Sequence, residues 1–201
     1  MDEEHYIAIF ASGAGSNARK IIEYFQGHES VRIALVVSNK REAGVLGIAR
    51  EYGIPTYVTG RAAFYETEEL LAVLTGYGID FVVLAGFLWL IPPYLVREYR
   101  GRMINIHPAL LPKYGGQGMY GMHVHEAVKA AGEQESGITI HYVNEHYDEG
   151  DSVFQASCAL DPGDTPAEIA RKVQVLEHKH FAPVIEKLVC ARSESLRPDE
   201  T

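Results

Sequence analysis

Asn105 and His107 lie two positions apart in the segment Asn105-Ile106-His107-Pro108, and their side chains suit acyl transfer. Residues two apart on a β-strand place their side chains on one face of the sheet. There an amide stabilises the negative charge of a developing oxyanion, while an imidazole moves protons near neutral pH. A structural, hydrogen-bonded histidine explains the same spacing, so both interpretations stay open.

The loop Tyr147-Asp148-Glu149-Gly150 offers a carboxylate to the same chemistry. Close to His107, Asp148 would orient the imidazole or raise its pKa. The alternative is a charged hairpin turn, because Asp-x-Gly is common in turns. Spacing alone establishes no contact between two residues this far apart in the chain.

A glycine-rich turn, residues 12–17, separates the first predicted strand from the first predicted helix. Its glycines let backbone N–H groups approach a ligand, and a helix N-terminus carries about half a positive charge, so a phosphate is the expected ligand. A tight structural turn is the alternative. No Gly-Lys-Ser/Thr follows, and Ser38-Asn39-Lys40 ends the second strand without an acidic residue. These features argue against a P-loop and against a dinucleotide site.

Histidines at positions 123, 125, 141 and 146 suggest a metal site at first sight. A tetrahedral site needs a complete set of Cys, His or carboxylate ligands, and the spacing here completes none. We therefore expect no metal in the chemistry. Cys158 and Cys190 are far apart and form no C-x-x-C pair, which favours reduced thiols in a cytoplasmic protein.

Alternating apolar segments predict the elements that must position these residues. Apolar or β-branched runs predict strands at 6–11, 31–37, 55–58, 80–85 and 102–106, and helical patterns occupy 17–25, 45–52 and 64–74. Strands separated by helices predict an α/β fold with a doubly wound, mainly parallel, Rossmann-like sheet. Ligands bind beyond the carboxyl ends of such strands, here the turns after Ala11, Val37, Ala85 and Ile106.

The C-terminal half predicts an antiparallel addition to this sheet. Strands at 137–143 and 153–160 would pair across the loop 144–151, after a helix at 123–131. Thr165 as N-cap, followed by Pro166 and Glu168, opens a final helix to about residue 189. A polar, frayed tail is expected from residue 192.

The composition is that of an ordinary globular domain and argues against several classes of partner. The formal charge is −9, with 18 basic against 27 acidic residues, which leaves no basic surplus for a nucleic acid. The apolar run 81–91 is too short to span a bilayer, and the acidic N-terminal sequence lacks the basic region of a signal peptide. We expect a cytoplasmic monomer or homodimer that binds small molecules and has no nucleic-acid or membrane partner.

Six segments, in chain order, resemble the phosphoribosylglycinamide formyltransferase family of folate-dependent enzymes. The resemblance runs from about residue 6 to 190, and His-Pro-x-Leu-Leu-Pro is a specific marker of folate-dependent formyl transfer. The segments are Gly15-Ser16-Asn17, Ser38-Asn39, Leu84-Ala85-Gly86-Phe87, residues 105–113, Asp148-x-Gly150 and Gln174-x-x-Glu177. The resemblance implies one domain over residues 1–201: a phosphate-binding half at about 1–100, a folate-binding and catalytic half at about 101–190, and a tail at 191–201.

The resemblance also implies a site for glycinamide ribonucleotide, the amine that accepts the formyl group. Gly15, Ser16 and Asn17 would bind its phosphate, which agrees with the helix N-terminus predicted there. Gln174 and Glu177 would bind the rest of the nucleotide, with Glu177 suited to the ribose hydroxyls.

The co-substrate implied by the resemblance is 10-formyltetrahydrofolate. Arg61 would lie near it, and two segments would line its pocket: Leu88, Trp89, Leu90 and Ile91, and Asn144, Glu145, His146 and Tyr147. Trp89 departs from the family, in which many members have arginine at this position, so any side-chain contact from that arginine is absent.

Residues 114–123 form a longer connection than the Pro-Gly-x-His usual in the family. Their four glycines suggest a flexible, lid-like loop beside the site. We retain His123 as a candidate helper rather than as a catalytic residue.

By the same resemblance, the ribonucleotide amine attacks the formyl carbon and gives a tetrahedral intermediate. Asn105 and protonated His107 would stabilise its oxygen, and Asp148 would keep His107 charged. A proton would pass from the attacking amine to the leaving folate nitrogen, and no metal or redox cofactor is required.

Two other functions stay open. A formyltetrahydrofolate hydrolase needs a similar Asn-His-Asp set with water in place of the amine, although that family usually has an extra N-terminal domain and the first strand here begins by Tyr6. A non-catalytic module that senses folate or a phosphorylated metabolite would leave Asn105 and His107 without a role.

Overall fold

The computed structural model describes residues 4–195, in which seven strands form one sheet. The strands are β1 (His5–Phe10), β2 (Val31–Ser38), β3 (Thr56–Val58), β4 (Phe81–Leu84), β5 (Met103–His107), β6 (Glu135–Tyr142) and β7 (Ser152–Ala159). Their order is β3-β2-β1-β4-β5-β6-β7; the first five pair in parallel, while β6 is antiparallel to β5 and β7 to β6. The predicted α/β fold class is confirmed, including its antiparallel addition.

Helices cover both faces of this sheet. They are α1 (Ser16–Phe25), α2 (Gly44–Glu51), α3 (Arg61–Tyr65), α4 (Glu69–Gly76), α5 (Pro93–Glu98), α6 (Met122–Ala130) and α7 (Pro166–Ser195). Apolar residues of α1, α2, α6 and α7 pack on one face, and those of α3, α4 and α5 pack on the other. Neighbouring residues of β1 supply both cores, because side chains alternate along a strand: Ile7 and Ile9 face the first, Ala8 and Phe10 the second.

The single helix predicted at 64–74 is wrong, because the chain forms two short helices there. Thr67 separates them: its hydroxyl donates to the Ala63 carbonyl of α3 and accepts the backbone N–H of Glu69 in α4. A threonine side chain that bonds to nearby backbone in this way competes with continuous helix.

Two further helical predictions need correction. The short helix α5 was not predicted; Pro93 stands in its first turn, where a missing N–H costs nothing. The last helix, α7, continues beyond the predicted end at 189 to Ser195, so the first part of the predicted frayed tail is helical. Residues 196–201 of that tail lie outside the described residues. None of the helices within residues 4–195 is long and apolar enough to cross a membrane.

The turn before α1 depends on Gly15. Its φ is +83°, and a Cβ there would lie 2.8 Å from Cα of Val45 in α2. The backbone N–H of Val45 also donates to the Gly13 carbonyl, at 3.2 Å, so α2 is held against the turn. Only glycine combines a left-handed conformation with this close approach.

We expect Gly15→Ala to lower the free energy of unfolding by about 2–5 kcal/mol, from left-handed strain and overpacking against Val45. Urea unfolding followed by circular dichroism measures this loss. Gly13→Ala is the matched control, because a Cβ there meets no atom within 4 Å. Equal destabilisation by the two substitutions would contradict this account of the turn.

Candidate active site

β5 brings Asn105 and His107 to the carboxyl edge of the sheet. Asn105 lies opposite His141 of β6, and His107 lies opposite Thr139. His107 is only 3% exposed. The two predicted residues therefore lie on one strand, with polar neighbours supplied by the antiparallel partner rather than by a parallel strand.

Both ring nitrogens of His107 face hydrogen-bond acceptors. Nε2 lies 2.7 Å from the Tyr114 carbonyl oxygen and must donate to it, because a carbonyl only accepts. Nδ1 lies 3.5 Å from Asp148 Oδ2, close enough for charge attraction but long for a hydrogen bond. Both neighbours favour the imidazolium form over the neutral ring.

Burial nevertheless dominates the protonation of His107. It lowers the pKa of His107, and the raising effects of the Asp148 charge and of the bond to the Tyr114 carbonyl do not restore the ordinary value. The sequence-based expectation that Asp148 raises this pKa is correct for that one contribution. The net direction is opposite, so the resting imidazole is neutral at pH 7, and the expectation that Asp148 keeps His107 protonated is wrong for the free site.

Asp148 is held by the backbone and by polar side chains. Its Oδ2 accepts the N–H of Gly116 at 3.0 Å, and its Oδ1 lies 3.4 Å from Asn105 Nδ2 and 3.6 Å from His141 Nε2. Burial raises the pKa of Asp148, but the neighbouring His141 and His107 rings and the Gly116 N–H together lower it below the ordinary value. The carboxylate is therefore ionised near neutral pH.

The Asp-x-Gly turn is required by close packing. A Cβ on Gly150 would lie 1.7 Å from the Tyr142 carbonyl oxygen, so no other residue fits. Asp148 itself has a φ of +56°, which aspartate tolerates better than most residues. This turn carries the carboxylate back towards β5.

His141 belongs to this cluster and was missed as a catalytic neighbour; the sequence suggested it only as a rejected metal ligand. Its Nδ1 lies 2.9 Å from the Tyr142 carbonyl and so carries the proton, which leaves Nε2 to accept Asn105 Nδ2 at 3.1 Å. His141 thereby fixes the orientation of the Asn105 amide. The sequence signal that could have found His141 is the alternation along the strand predicted at 137–143. That alternation places His141 on the face opposite to Ile138 and Ile140.

A cavity of about 690 Å³ opens beside this cluster. Residues that follow β4 and β5 line it, as the strand-end rule predicted for the turns after Ala85 and Ile106. The turn after Ala11 contributes only through Asn17, and the turn after Val37 does not line the cavity. The chemistry-bearing residues thus lie at the wall of one pocket large enough for small-molecule ligands.

One half of the cavity joins α1 to α7. Asn17 Nδ2 donates to Glu177 Oε2 at 3.0 Å, and Gln174 Nε2 donates to Ser16 Oγ at 3.3 Å. Burial raises the pKa of Glu177 despite the opposing bond from Asn17. Asn17, Gln174 and Glu177 line the cavity, and Gly15 and Ser16 lie beside them in the turn. The residues assigned to the ribonucleotide by resemblance are therefore neighbours in space.

The other half is formed by the loop after β4 and the loop between β6 and β7. All of Leu88, Trp89, Leu90 and Ile91 line it, as do Asn144, His146 and Tyr147. Trp89 packs on Phe64 and Tyr65, with ring centroids 5.3 and 5.7 Å apart. The wall of this half is therefore apolar and aromatic along residues 88–91, while Asn144 and His146 add polar groups.

Two residues predicted near the folate do not line the cavity. Arg61 stacks over the Tyr65 ring, with its guanidinium carbon 5.2 Å from the centroid, and so lies behind the aromatic wall. Glu145 is exposed and is not among the lining residues.

The glycine-rich connection between β5 and α6 lines the cavity from Gly116 to Met122, so its predicted place beside the site is correct. His123, the candidate helper, is two-thirds exposed, lies outside the lining and sits 3.7 Å from Glu126. Within residues 4–195, no group of three or more His, Cys, Asp or Glu side chains is placed to hold a metal ion.

The fold and the site define an α/β protein with a ligand cavity at the ends of its strands and an Asn-His-Asp cluster suited to acyl transfer. A family model described as "Formyl transferase" matches residues 5–185. The chain belongs to the formyl transferase family, which confirms the family predicted from the sequence.

Individual relatives agree with this assignment. A chloroplastic phosphoribosylglycinamide formyltransferase of Arabidopsis thaliana is 45% identical over 89% of this chain and 63% of the relative, and the Escherichia coli phosphoribosylglycinamide formyltransferase is 36% identical over 89% and 84%. The crystal structure of phosphoribosylglycinamide formyltransferase from Anaplasma phagocytophilum superposes with a TM-score of 0.86 at 33% identity, covering 94% of this chain and 88% of that one. The chain spans 63% and 60% of the length of two plant relatives.

Asp148→Asn should move the pKa of His107 further down, because the substitution removes the charge that favours the imidazolium. NMR titration of the His107 ring measures the change. Glu149→Gln, an exposed carboxylate in the same turn, should leave the titration unchanged. A His107 pKa that rises or stays constant in Asp148→Asn would show that the 3.5 Å contact has no electrostatic effect.

Proposed function

We propose that the protein transfers the formyl group of 10-formyltetrahydrofolate to the amine of glycinamide ribonucleotide. The observation that carries this proposal is the meeting of Asn105, His107 and Asp148 at the wall of one cavity whose two halves differ in polarity. Relatives named phosphoribosylglycinamide formyltransferase support the choice of acceptor.

The polar half of the cavity would bind the ribonucleotide. Backbone N–H groups at the start of α1, around Gly15, Ser16 and Asn17, are unpaired within the helix and attract a phosphate. Gln174 and Glu177 already reach this turn, so they can contact the sugar of a nucleotide whose phosphate lies there. A half-site built this way has no use in a hydrolase, whose second substrate is water.

The apolar half would bind the folate. Flat aromatic rings are buried well against apolar walls, and Trp89, supported by Phe64 and Tyr65, provides such a surface. The loop of Asn144, His146 and Tyr147 lines the same cavity and would offer polar groups to the pteridine edge.

The reaction follows from the geometry of the cluster. The amine attacks the formyl carbon, a C–N bond forms, and the carbonyl oxygen becomes an oxyanion near the Asn105 amide. Neutral His107 accepts a proton lost by the amine and becomes an imidazolium, which Asp148 stabilises. Collapse of the intermediate breaks the bond to the folate nitrogen, and that nitrogen takes up the proton.

The Tyr114 carbonyl must move away from His107 before this reaction can occur. In the free enzyme His107 Nε2–H donates to the Tyr114 carbonyl, so this nitrogen cannot accept a proton there. The substrate has to replace that oxygen, and the ring proton has to move to Nδ1 beside Asp148, before Nε2 accepts the proton of the amine. Tyr114 begins the glycine-rich connection, which is suited to such a movement because glycines tolerate many backbone conformations.

Turnover of 10-formyltetrahydrofolate with and without glycinamide ribonucleotide tests the proposal, with folate absorbance as the readout. We expect consumption only when the ribonucleotide is present, and a reduction of about 100-fold or more in His107→Ala. Consumption that does not need the ribonucleotide would favour the hydrolase, and binding without any consumption would favour a sensing module.

Trp89→Ala should raise the KM for 10-formyltetrahydrofolate about tenfold, since it removes a large apolar contact surface. The KM for the ribonucleotide should stay within twofold, because Trp89 lines only the apolar half. Tyr77→Ala, at an exposed aromatic residue outside the cavity, is the control. An unchanged folate KM in Trp89→Ala would remove this residue from the folate site.

The monomeric or homodimeric state, the cytoplasmic location and the division into halves of a single domain over residues 1–201 stay predictions from the sequence.

A further inference from the structure

His125 is a buried polar residue of the cavity that the chemistry above does not use. It lies in α6, lines the cavity and is only 5% exposed. Its Nδ1 is buried and has no hydrogen-bond partner within the described part of the chain. Buried polar atoms in native proteins are nearly always paired, so an unpaired one in a ligand cavity points to a partner that arrives with the ligand.

A second unpaired atom lies in the same cavity. Asn17 donates through Nδ2 to Glu177, but its Oδ1 is buried and has no partner among residues 4–195. Among the cavity-lining residues within 4–195, these two are the buried side-chain atoms without a partner. A ligand with several hydrogen-bonding groups would supply a partner for each of these two atoms.

The fold places His125 in the polar half of the cavity. Val124 and Val128 of α6 share an apolar core with Val173 of α7 and Ala18 of α1, on the face of the sheet that carries Asn17. The aromatic wall around Trp89 packs with the core on the opposite face. His125 is therefore on the side of the ribonucleotide.

The imidazole of His125 suits an uncharged group. Burial, and then repulsion from the His107 ring when that is protonated, lower the pKa of His125, so its ring is neutral near pH 7. A neutral imidazole offers one donor and one acceptor, which match a hydroxyl or an amide better than a phosphate.

We propose that His125 binds the acceptor ribonucleotide by a hydrogen bond to one of its hydroxyl or amide groups and so holds the amine towards His107. This inference rests on the proposed function, because it takes glycinamide ribonucleotide as the acceptor. His125 takes no part in proton transfer; it is an acceptor-binding residue.

The test compares His125→Leu with wild type, because leucine keeps the bulk of the ring and removes its nitrogens. Calorimetric titration with glycinamide ribonucleotide should show a Kd raised about tenfold, as expected for the loss of a buried hydrogen bond. In turnover, the KM for the ribonucleotide should rise similarly while the KM for 10-formyltetrahydrofolate stays within twofold. The melting temperature of the free protein should not fall, since an unpaired buried nitrogen is removed.

His123→Leu is the matched control: the same substitution two residues away, on an exposed side chain outside the cavity. It should leave both KM values unchanged. His125→Gln, which retains a donor and an acceptor, should recover part of the lost affinity.

The possible failures are distinguishable. Wild-type affinity for the ribonucleotide in His125→Leu would overturn this inference and leave the proposed function intact. A lower melting temperature with both KM values raised together would show a structural role and would also overturn it. If the wild-type protein neither binds nor formylates the ribonucleotide, the proposed function fails and the inference fails with it.

Discussion

The antiparallel pairing of β6 with β5 is the constraint on which the candidate site depends. Its register places His141 opposite Asn105, and the loop that follows β6 returns Asp148 to the same place. A shift of one residue would turn every side chain of β6 to the other face and leave Asn105 without its orienting imidazole. A mainly parallel sheet thus acquires its chemistry from the first of its two antiparallel pairings.

Burial and charge act in opposite directions at His107. Its two partners, the Tyr114 carbonyl and the Asp148 carboxylate, both favour an imidazolium, while removal from water disfavours it. The ring is therefore neutral at rest but has acceptors in place for a second proton. This balance fits a group that receives a proton during a reaction and releases it afterwards.

The two halves of the cavity lie on the sides of the two apolar cores. On one face, α1, α6 and α7 surround a polar half-cavity; on the other, aromatic residues from α3 and the loop after β4 form an apolar wall. The halves meet where β4 and β5 end, which is where Asn105 and His107 lie. A nucleotide and a folate held on opposite faces would bring amine and formyl group together at this edge.

The sequence by itself determined the layout and the main chemical groups. Apolar runs separated by helical patterns gave the parallel sheet, residue spacing put Asn105 and His107 on one face, and the motif order gave the family. Local signals failed where a single side chain interrupted a pattern: Thr67 divides a helix that hydrophobic spacing alone predicted as continuous.

Only the tertiary structure decided which distant residues meet. It added His141 and His125 to the site, put Arg61 behind the aromatic wall, and set the burial that makes His107 neutral. Strand register and helix packing determine these contacts, and both depend on the sum of many apolar interactions across the whole chain. No local sequence pattern specifies these long-range interactions. The sequence therefore shows where a histidine stands in the chain, but not which residues surround it.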